Sequence, residues 1–358
     1  MDATDFISSI SNGKLALLIG ALAAGTLALS PLLRKKIHFT AAFNSGKVMV
    51  LVFILLTGST GCGSSADKAS EIEPFRFVVL SDIHIRIPGN PDDVVNNNQR
   101  NLDNLHHAVD IINTQYASAD FVAVTGDLVG CLFSEDPDDY LNGGLNPPEL
   151  FMEIMDGLMK PYYVALGNHD YQKGFDVGHG EGISTDDIDR VEAVWNKVLG
   201  ILPYYAFVHK GVQFIFLNSN RGPLRDQICP GDQIERFCTG SFDDEQLLWL
   251  EARLERKEPA ILFCHHPPRT DSNGKVWTFY RAYQIDPEDF FYDIVRHHKD
   301  KILAIFVGHG HYWQSDTLYG TITVHETAAM GDMLGDADNI CVVDIDPVTR
   351  QVTVHRHG

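Results

Sequence analysis

The chain has 358 residues, 44% hydrophobic and 21% charged, so it can bury a sizeable core and wholesale disorder is excluded. Its formal net charge is −20, and residues 1–61 carry five Lys or Arg against two Asp, so residues 62–358 carry −23. That field disfavours a general DNA or RNA binder but leaves room for a small phosphate ester, because bound cations reverse a field locally. None of the six cysteines forms a CxxC pair, which speaks against a structural zinc site.

Two apolar stretches open the chain. Residues 15–33, "LALLIGALAAGTLALSPLL", are about long enough to cross a bilayer. Arg34, Lys35 and Lys36 follow and favour a cytoplasmic C-terminal end. Lys47 then precedes "VMVLVFILLTGSTGC", whose apolar part, 48–57, has the length of a signal core and is too short to span. Ending in small residues and Cys62, this stretch resembles a bacterial lipoprotein signal, which implies Cys62 as the lipidated residue. It departs from that pattern at Ser59, where such signals favour Leu, and in beginning far from Met1. A start inside the printed sequence, or a hairpin of two membrane segments, accommodates the second departure; a plain anchor helix at 15–33 is the alternative. Each version predicts export and membrane attachment in a bacterial cell envelope. Residues 1–61 are then membrane-targeting, 62–74 a polar linker, and 75–358 one folded domain without repeats.

From residue 75, apolar strands alternate with helices. "FRFVVLSDIHI" (75–85) reads as a strand, and Leu102, Leu105, Val109 and Ile112 recur at helical spacing within 97–117. Strands follow at 120–130 and 161–170, with a Pro-initiated helix at 147–159 between them and a capped helix at 184–200 after them. "YYAFVHK" and "VQFIFLNSN" are two adjacent strands. "SFDDEQLLWLEARLERK" (241–257) is an amphipathic helix with a capping signature. A strand at 259–268, a helix over "DPEDFFYDIVRHH" and a strand at 301–311 follow, then a tail of short strands. The alternation predicts an α/β fold, with the strand-rich tail supplying a second sheet packed on the first.

Five of these strands end in metal-type ligands: Asp82 and His84 in "SDIH", Asp127 in "TGDLVG", Asn168 and His169 in "GNHD", His265 in "FCHHPP", and His309 with His311 in "GHGH". Any one of these motifs could be turn chemistry. Together, each after a buried strand, they aim Asp, Asn and His at the crevice where strand C-termini meet. The donors suit Mn, Fe, Zn, Co or Ni, and eight candidates exceed one octahedron, so two ions are expected.

The order DxH, GD, GNHD, HHP, GHxH resembles the calcineurin-like metallophosphoesterases over nearly all of residues 75–330. The resemblance implies a two-sheet α/β sandwich flanked by helices, with two divalent metal ions between the sheet edges. It implies Asp82, His84 and His311 on the first ion, Asn168, His265 and His309 on the second, and Asp127 bridging. It further implies in-line attack on phosphorus by a bridging hydroxide, with His169 serving the leaving oxygen and Asp170 orienting His169. Whether the substrate is a phosphomonoester or a diester, such as a cyclic nucleotide or a phospholipid head group, stays open. Purple acid phosphatases place a Tyr three residues after the bridging Asp, where this chain has Gly130, so a tyrosinate centre is not expected. A nonenzymatic descendant would be expected to have lost ligands, and none is missing.

The remaining candidates are weaker. His106, His107, His297 and His298 fall on helices and are expected at the surface; His266 shapes the turn or lines the pocket. Cys229 and Cys238 flank "PGDQIERF" and are expected to form a disulfide, whereas Cys264 and Cys341 lie in apolar strands and should be buried thiols. Substrate choice is expected in 269–284, through Arg269, Trp277 and Arg281, with Trp313 as an opposite wall. The competing reading is that these aromatics pin a long loop to the body.

Overall fold

The computed structural model describes residues 73–86, 98–132, 147–172, 188–222, 240–272, 284–332 and 334–357, and the backbone alone at 38–44, 47–53, 227–229 and 233–235. The chain divides into two units, Met1–Lys68 and Ala69–Gly358, a boundary that falls inside the 62–74 linker. In the first unit, β1 (His38–Asn44) and β2 (Lys47–Phe53) form an antiparallel hairpin. Residues 48–53 of the expected signal core are therefore strand; 15–33 and Cys62 lie outside the described residues. Among the described residues no helix is long and apolar enough to cross a membrane.

The second unit contains two sheets. One has five strands in the order β15-β14-β3-β4-β5, made of β3 (Phe75–Leu80), β4 (Val122–Val124), β5 (Tyr162–Val164), β14 (Cys341–Asp346) and β15 (Gln351–Arg356). The other has six in the order β12-β13-β11-β10-β7-β6. These are β6 (Tyr205–His209), β7 (Val212–Phe216), β10 (Ala260–Phe263), β11 (Ile302–Val307), β12 (Gln314–Leu318) and β13 (Ile322–Glu326). The strands β3-β4-β5 run parallel in one sheet, with β14 and β15 antiparallel at one edge and β5 forming the other; in the other sheet β7-β10-β11-β13 run parallel and β6 and β12 close both edges antiparallel. A third, two-stranded ribbon pairs β8 (Gln227–Cys229) with β9 (Gln233–Glu235). Cys238 lies outside the described residues, and the expected disulfide with it.

Strand alternation decides which side chains meet. Phe75, Phe77 and Val79 of β3 face inward with Phe214 and Phe216 of β7, Phe263 of β10 and Phe306 of β11. The Phe77 ring meets Phe214, Phe263 and Phe306 edge-on at 5.6–6.0 Å, and Phe216 stacks on Phe263 at 4.5 Å. The alternate residues face outward under helices. Val78 and Leu80 pack with α1 (Asn98–Thr114), α2 (Pro147–Met155) and α3 (Ile188–Leu199). Ile215, Leu262 and Ile305 pack with α4 (Asp244–Leu254) and α5 (Phe291–His297). The result is a two-sheet α/β sandwich flanked by helices. Cys264 and Cys341 are buried free thiols that burial pushes up to about 12.

Two helices are shorter than their sequence periods predict. Asp286 and Asp289 accept hydrogen bonds from the backbone of Glu288 and Phe291, so 286–290 is turn and α5 starts at Phe291. After Met155 the chain tightens into i→i+3 bonds, Gly157 to Ile154 and Leu158 to Met155, which stops α2 short of 159.

Candidate metal centre

The parallel strands end on one edge, and the turns after them carry the ligand candidates. Nine non-glycine residues among those described have left-handed backbones. Lys210, Tyr319 and Arg350 sit in hairpin turns. Five of the others are Asp82, His84, Asp127, His309 and His311, with φ between 50° and 76°; the ninth is Asp332, with φ 61°. Non-glycine residues rarely adopt this conformation, and here it turns the side chains off the strand axis into one crevice.

Two donor groups result. Asp82, His84, Asp127 and His311 form one, and Asp127, His265 and His309 the other, each with one ligand atom per residue within 4.8 Å of the rest. His84 Nε2 lies 3.2 Å from His311 Nε2, and His265 Nε2 lies 3.1 Å from His309 Nδ1. Asn168 joins the second group, its Oδ1 3.0 Å from His265 Nε2. Asp127 Oδ2 is 3.1 Å from His265 Nε2 and 3.8 Å from His84 Nε2, so this one carboxylate faces both groups. Donors around a cation with bonds of about 2.1 Å stand about 3.0–3.4 Å apart, so the side chains present fit two metal ions.

The site joins the two sheets. Asp82, after β3, accepts from the His309 backbone N–H beyond β11 at 3.0 and 3.1 Å. It also accepts from Ser81 Oγ, which in turn accepts from Thr125 Oγ1. His265, after β10, donates Nδ1–H to the Thr125 carbonyl beyond β4 at 2.9 Å, leaving Nε2 for the crevice. Burial alone would push His265 down; the Asp127 carboxylate outweighs it and raises the imidazole to about 9. Burial also opposes charge on His311, but Asp82 holds it up, whereas burial drives His84 and His309 well down. In each histidine pair the nearby carboxylate favours positive charge on one imidazole while burial disfavours it on the other.

GNHD is built for contact with Asp127. A Cβ on Gly167 would lie 2.2 Å from Asp127 Oδ1, so only glycine fits there. The His169 backbone N–H donates to Asp127 Oδ1 at 2.9 Å. The His169 ring donates Nδ1–H to the Gly130 carbonyl at 2.8 Å, which fixes the tautomer, and the ring stands edge-on to His84 at 4.7 Å. Asp170 does not orient that ring, contrary to expectation. Its carboxylate is fully buried and accepts from the backbone N–H groups of Gly167 and Val129, stitching the GNHD turn to the TGD loop.

Other expected residues divide. Trp313 is half-buried: it packs against the inter-sheet core, donates Nε1–H to Asn339, and carries the Arg356 guanidinium 5.1 Å from its ring centre. Arg269 is exposed, and its backbone N–H donates to the Tyr292 hydroxyl. Trp277 and Arg281 lie outside the described residues. His266 is buried, bonded through Nδ1 to Ser219 Oγ, with its ring 4.5 Å from that of His309. At Gly130 a Cβ would meet Arg86 Nε at 2.0 Å, so the slot a tyrosine would need is filled. His298, expected at the surface, is buried.

Three supporting residues escaped sequence reading. Glu326, at the end of β13, is 1% exposed, and a Cβ on Gly310 would strike its Oε1, so it braces the GHGH turn. Burial, then the Asp82 charge, raises it well above the usual carboxylate range. Asn101 donates Nδ2–H to the His84 carbonyl and accepts from the Asp332 N–H. Asp332 lies 4.0 Å from His311 Nδ1. Only the helical placement of Asn101 was readable; its bond to Asp332 spans 231 residues, and the nearer partners meet only once their turns have folded.

The family model described as calcineurin-like phosphoesterase matches residues 75–313, well over half of the chain. The chain belongs to this family. It is therefore a metallophosphoesterase, an enzyme of the phosphoric ester hydrolase class. Among curated protein sequences none matches it significantly. Similar solved structures include a dimetal phosphatase from Danio rerio, 16% identical, with TM-score 0.49, covering 79% of this chain and 99% of that one. TT1561 of Thermus thermophilus is 13% identical, with TM-score 0.44, covering 79% and 99%. Calcineurin-like phosphoesterase YfkN from Bacillus subtilis is 14% identical, with TM-score 0.42, covering 79% and 89%.

Proposed function

We propose that this calcineurin-like phosphoesterase hydrolyses small phosphate esters with two divalent metal ions. Asp82, His84 and His311 hold one ion, Asn168, His265 and His309 hold the other, and Asp127 joins both. The observation that carries this reading is that, among the described residues, Asp127 alone belongs to both donor groups. The ions, when bound, supply an activated water and neutralise phosphoryl charge for in-line displacement. The chain's own residues do the rest. His169, with its Nδ1–H committed to Gly130, leaves Nε2 for the crevice and, as the imidazolium, would pass its Nε2 proton to the leaving oxygen. Asp170 and Gly167 hold His169 beside Asp127 by fixing the turn. Imidazoles, carboxylates and an amide oxygen suit Mn, Fe, Zn, Co or Ni. Metal analysis together with turnover of p-nitrophenyl phosphate and bis-p-nitrophenyl phosphate tests the reading. Two ions per chain with metal-dependent turnover of either ester supports it; full turnover by chelated protein sinks it.

Substrate preference is assigned to 269–284, because that segment leaves directly from the His265 strand end with Arg269, Trp277 and Arg281 in an otherwise acidic domain. Residues 1–61 are assigned to export and membrane attachment, with Cys62 as the lipidated residue. The support is the apolar run ending in small residues before that cysteine. Cys62→Ser should release the protein from the membrane fraction; unchanged attachment would leave the anchor to 15–33.

A further inference from the structure

A second group of metal-type ligands lies away from the catalytic crevice. Glu255 ends α4, and His297 and His298 end α5. One donor atom from each lies within 4.8 Å of the other two. His298 is only 6% exposed, and its Nε2 is enclosed without a hydrogen-bond partner. That nitrogen faces Glu255 Oε1 at 3.7 Å, too far for a hydrogen bond. The His297 ring stands perpendicular to that of His298 with centres 4.7 Å apart. The sequence placed both histidines on a solvated helix face, and the structure turns one inward.

We propose that Glu255, His297 and His298 form a separate divalent transition-metal site that clips the end of α4 to the end of α5. Donors in a tetrahedral site with bonds of about 2.1 Å stand about 3.4 Å apart. Closing the present spacing to that value needs movement only of Glu255 and His297, which are exposed. His298 is the fixed member, and its enclosed nitrogen gains the partner it lacks. Two imidazoles and one carboxylate suit zinc, with water in the fourth position. Two helix C-termini meet here, and their carbonyl ends favour positive charge. Lys301 already uses that field, donating Nζ–H to the carbonyls of Leu254 and Arg256. Glu251, one turn back from Glu255, offsets the Lys301 charge.

The location separates this site from the catalytic one. Glu255 precedes the first residue of β10 and His298 the first residue of β11, whereas His265 and His309 follow the last residues of the same strands. A strand of four to six residues puts roughly 15–20 Å between the two edges. An ion here would stiffen the outer helices without entering the reaction.

The test is equilibrium dialysis of the full chain against Zn2+, followed by metal analysis, on the wild type and on Glu255→Gln, His297→Ala and His298→Ala. The wild type should retain one zinc more per chain than each variant, with p-nitrophenyl phosphate turnover alike in all four. Equal zinc in wild type and variants overturns the proposal, as does a variant that loses zinc and turnover together, since the lost ion would then be catalytic. Should His298→Ala fail to fold, the two substitutions at exposed positions still decide. Because the readout is a difference in zinc content, it stands even if the enzyme proves inactive on every ester tried.

Discussion

At His169 the chemistry and the metal sites can be separated. Its side chain bonds the Gly130 carbonyl, and only its backbone N–H touches Asp127. His169→Ala should therefore keep both ions and lower kcat by roughly 10²–10⁴, the usual worth of a positioned proton donor. Asp127→Ala should lose both ions, because among the described residues no other faces both groups. Metal analysis on the two variants checks the assignment, and an ion lost from the His169 variant would refute it. His265 sets a pH dependence. With no ion present it is raised from 6.5 to about 9, so at neutral pH it carries a proton that a metal must displace. Apparent metal affinity should rise about tenfold per pH unit up to about pH 9 and then level off, with proton release visible by calorimetry in buffers of different ionisation enthalpy. The sign for stability is opposite. A raised histidine stabilises the metal-free fold below about pH 6.5, and that contribution is lost as pH climbs through about 9. Metal-free protein should then melt at lower temperature in alkali than near neutrality, and a melting temperature flat across that window would contradict the shift. The ligand candidates of the crevice were legible in the sequence because each follows an apolar strand within a few residues. The role of Asp170 was misread, because its partners are backbone amides from two different turns.

Among the elements, α4 shows what local signals can and cannot deliver. Its start was readable from "SFDDEQ", and Asp243 accepts from the Gln246 N–H as an N-cap. The sequence did not show that the same carboxylate also accepts from Arg221, which reaches on to Glu192 of α3. Asp243→Ala should cost about 1–2 kcal/mol in denaturant unfolding, the cap included, while Asp243→Asn should recover most of that by keeping the cap. If both variants lose equally, the Arg221 pairing outweighs the cap. Strand identity was legible from apolar runs, but sheet membership was not. β12 and β13 join one sheet while β14 and β15 join the other, although all four read alike as short alternating strands. Long-range pairing makes that choice, β13 along β11 and β14 along β3, and no local period encodes it. Glu326 escaped notice for the same reason, since its contact with the GHGH turn exists only once β13 pairs with β11.

For the whole molecule, charge and substrate oppose one another. Residues 62–358 carry −23, and two of the ligands in the crevice are carboxylates, so a phosphate ester approaches against the field until cations are bound. Inorganic phosphate should show no measurable binding to metal-free protein and should bind once ions are supplied, as read by calorimetry. Salt should then help instead of hinder. The screening length is about 8 Å at physiological ionic strength, so raising salt hides the distant surface charge and spares the buried ions, and kcat/KM for an anionic ester should rise modestly. A fall would mean that a basic patch steers the substrate, with Arg269 and Arg281 as the first suspects.

The left-handed backbones around the crevice bear on how such a protein drifts. Glycine would relieve each of Asp82, His84, Asp127, His309 and His311 of a conformational cost of roughly 1 kcal/mol, and domains of this kind have only about 5–15 kcal/mol to spare. A lineage selected for folding alone would therefore trade these side chains away early, and would become more robust for doing so. The present chain holds all five in that costly conformation, so each of the five substitutions to glycine should raise the melting temperature of metal-free protein while removing a ligand from the crevice.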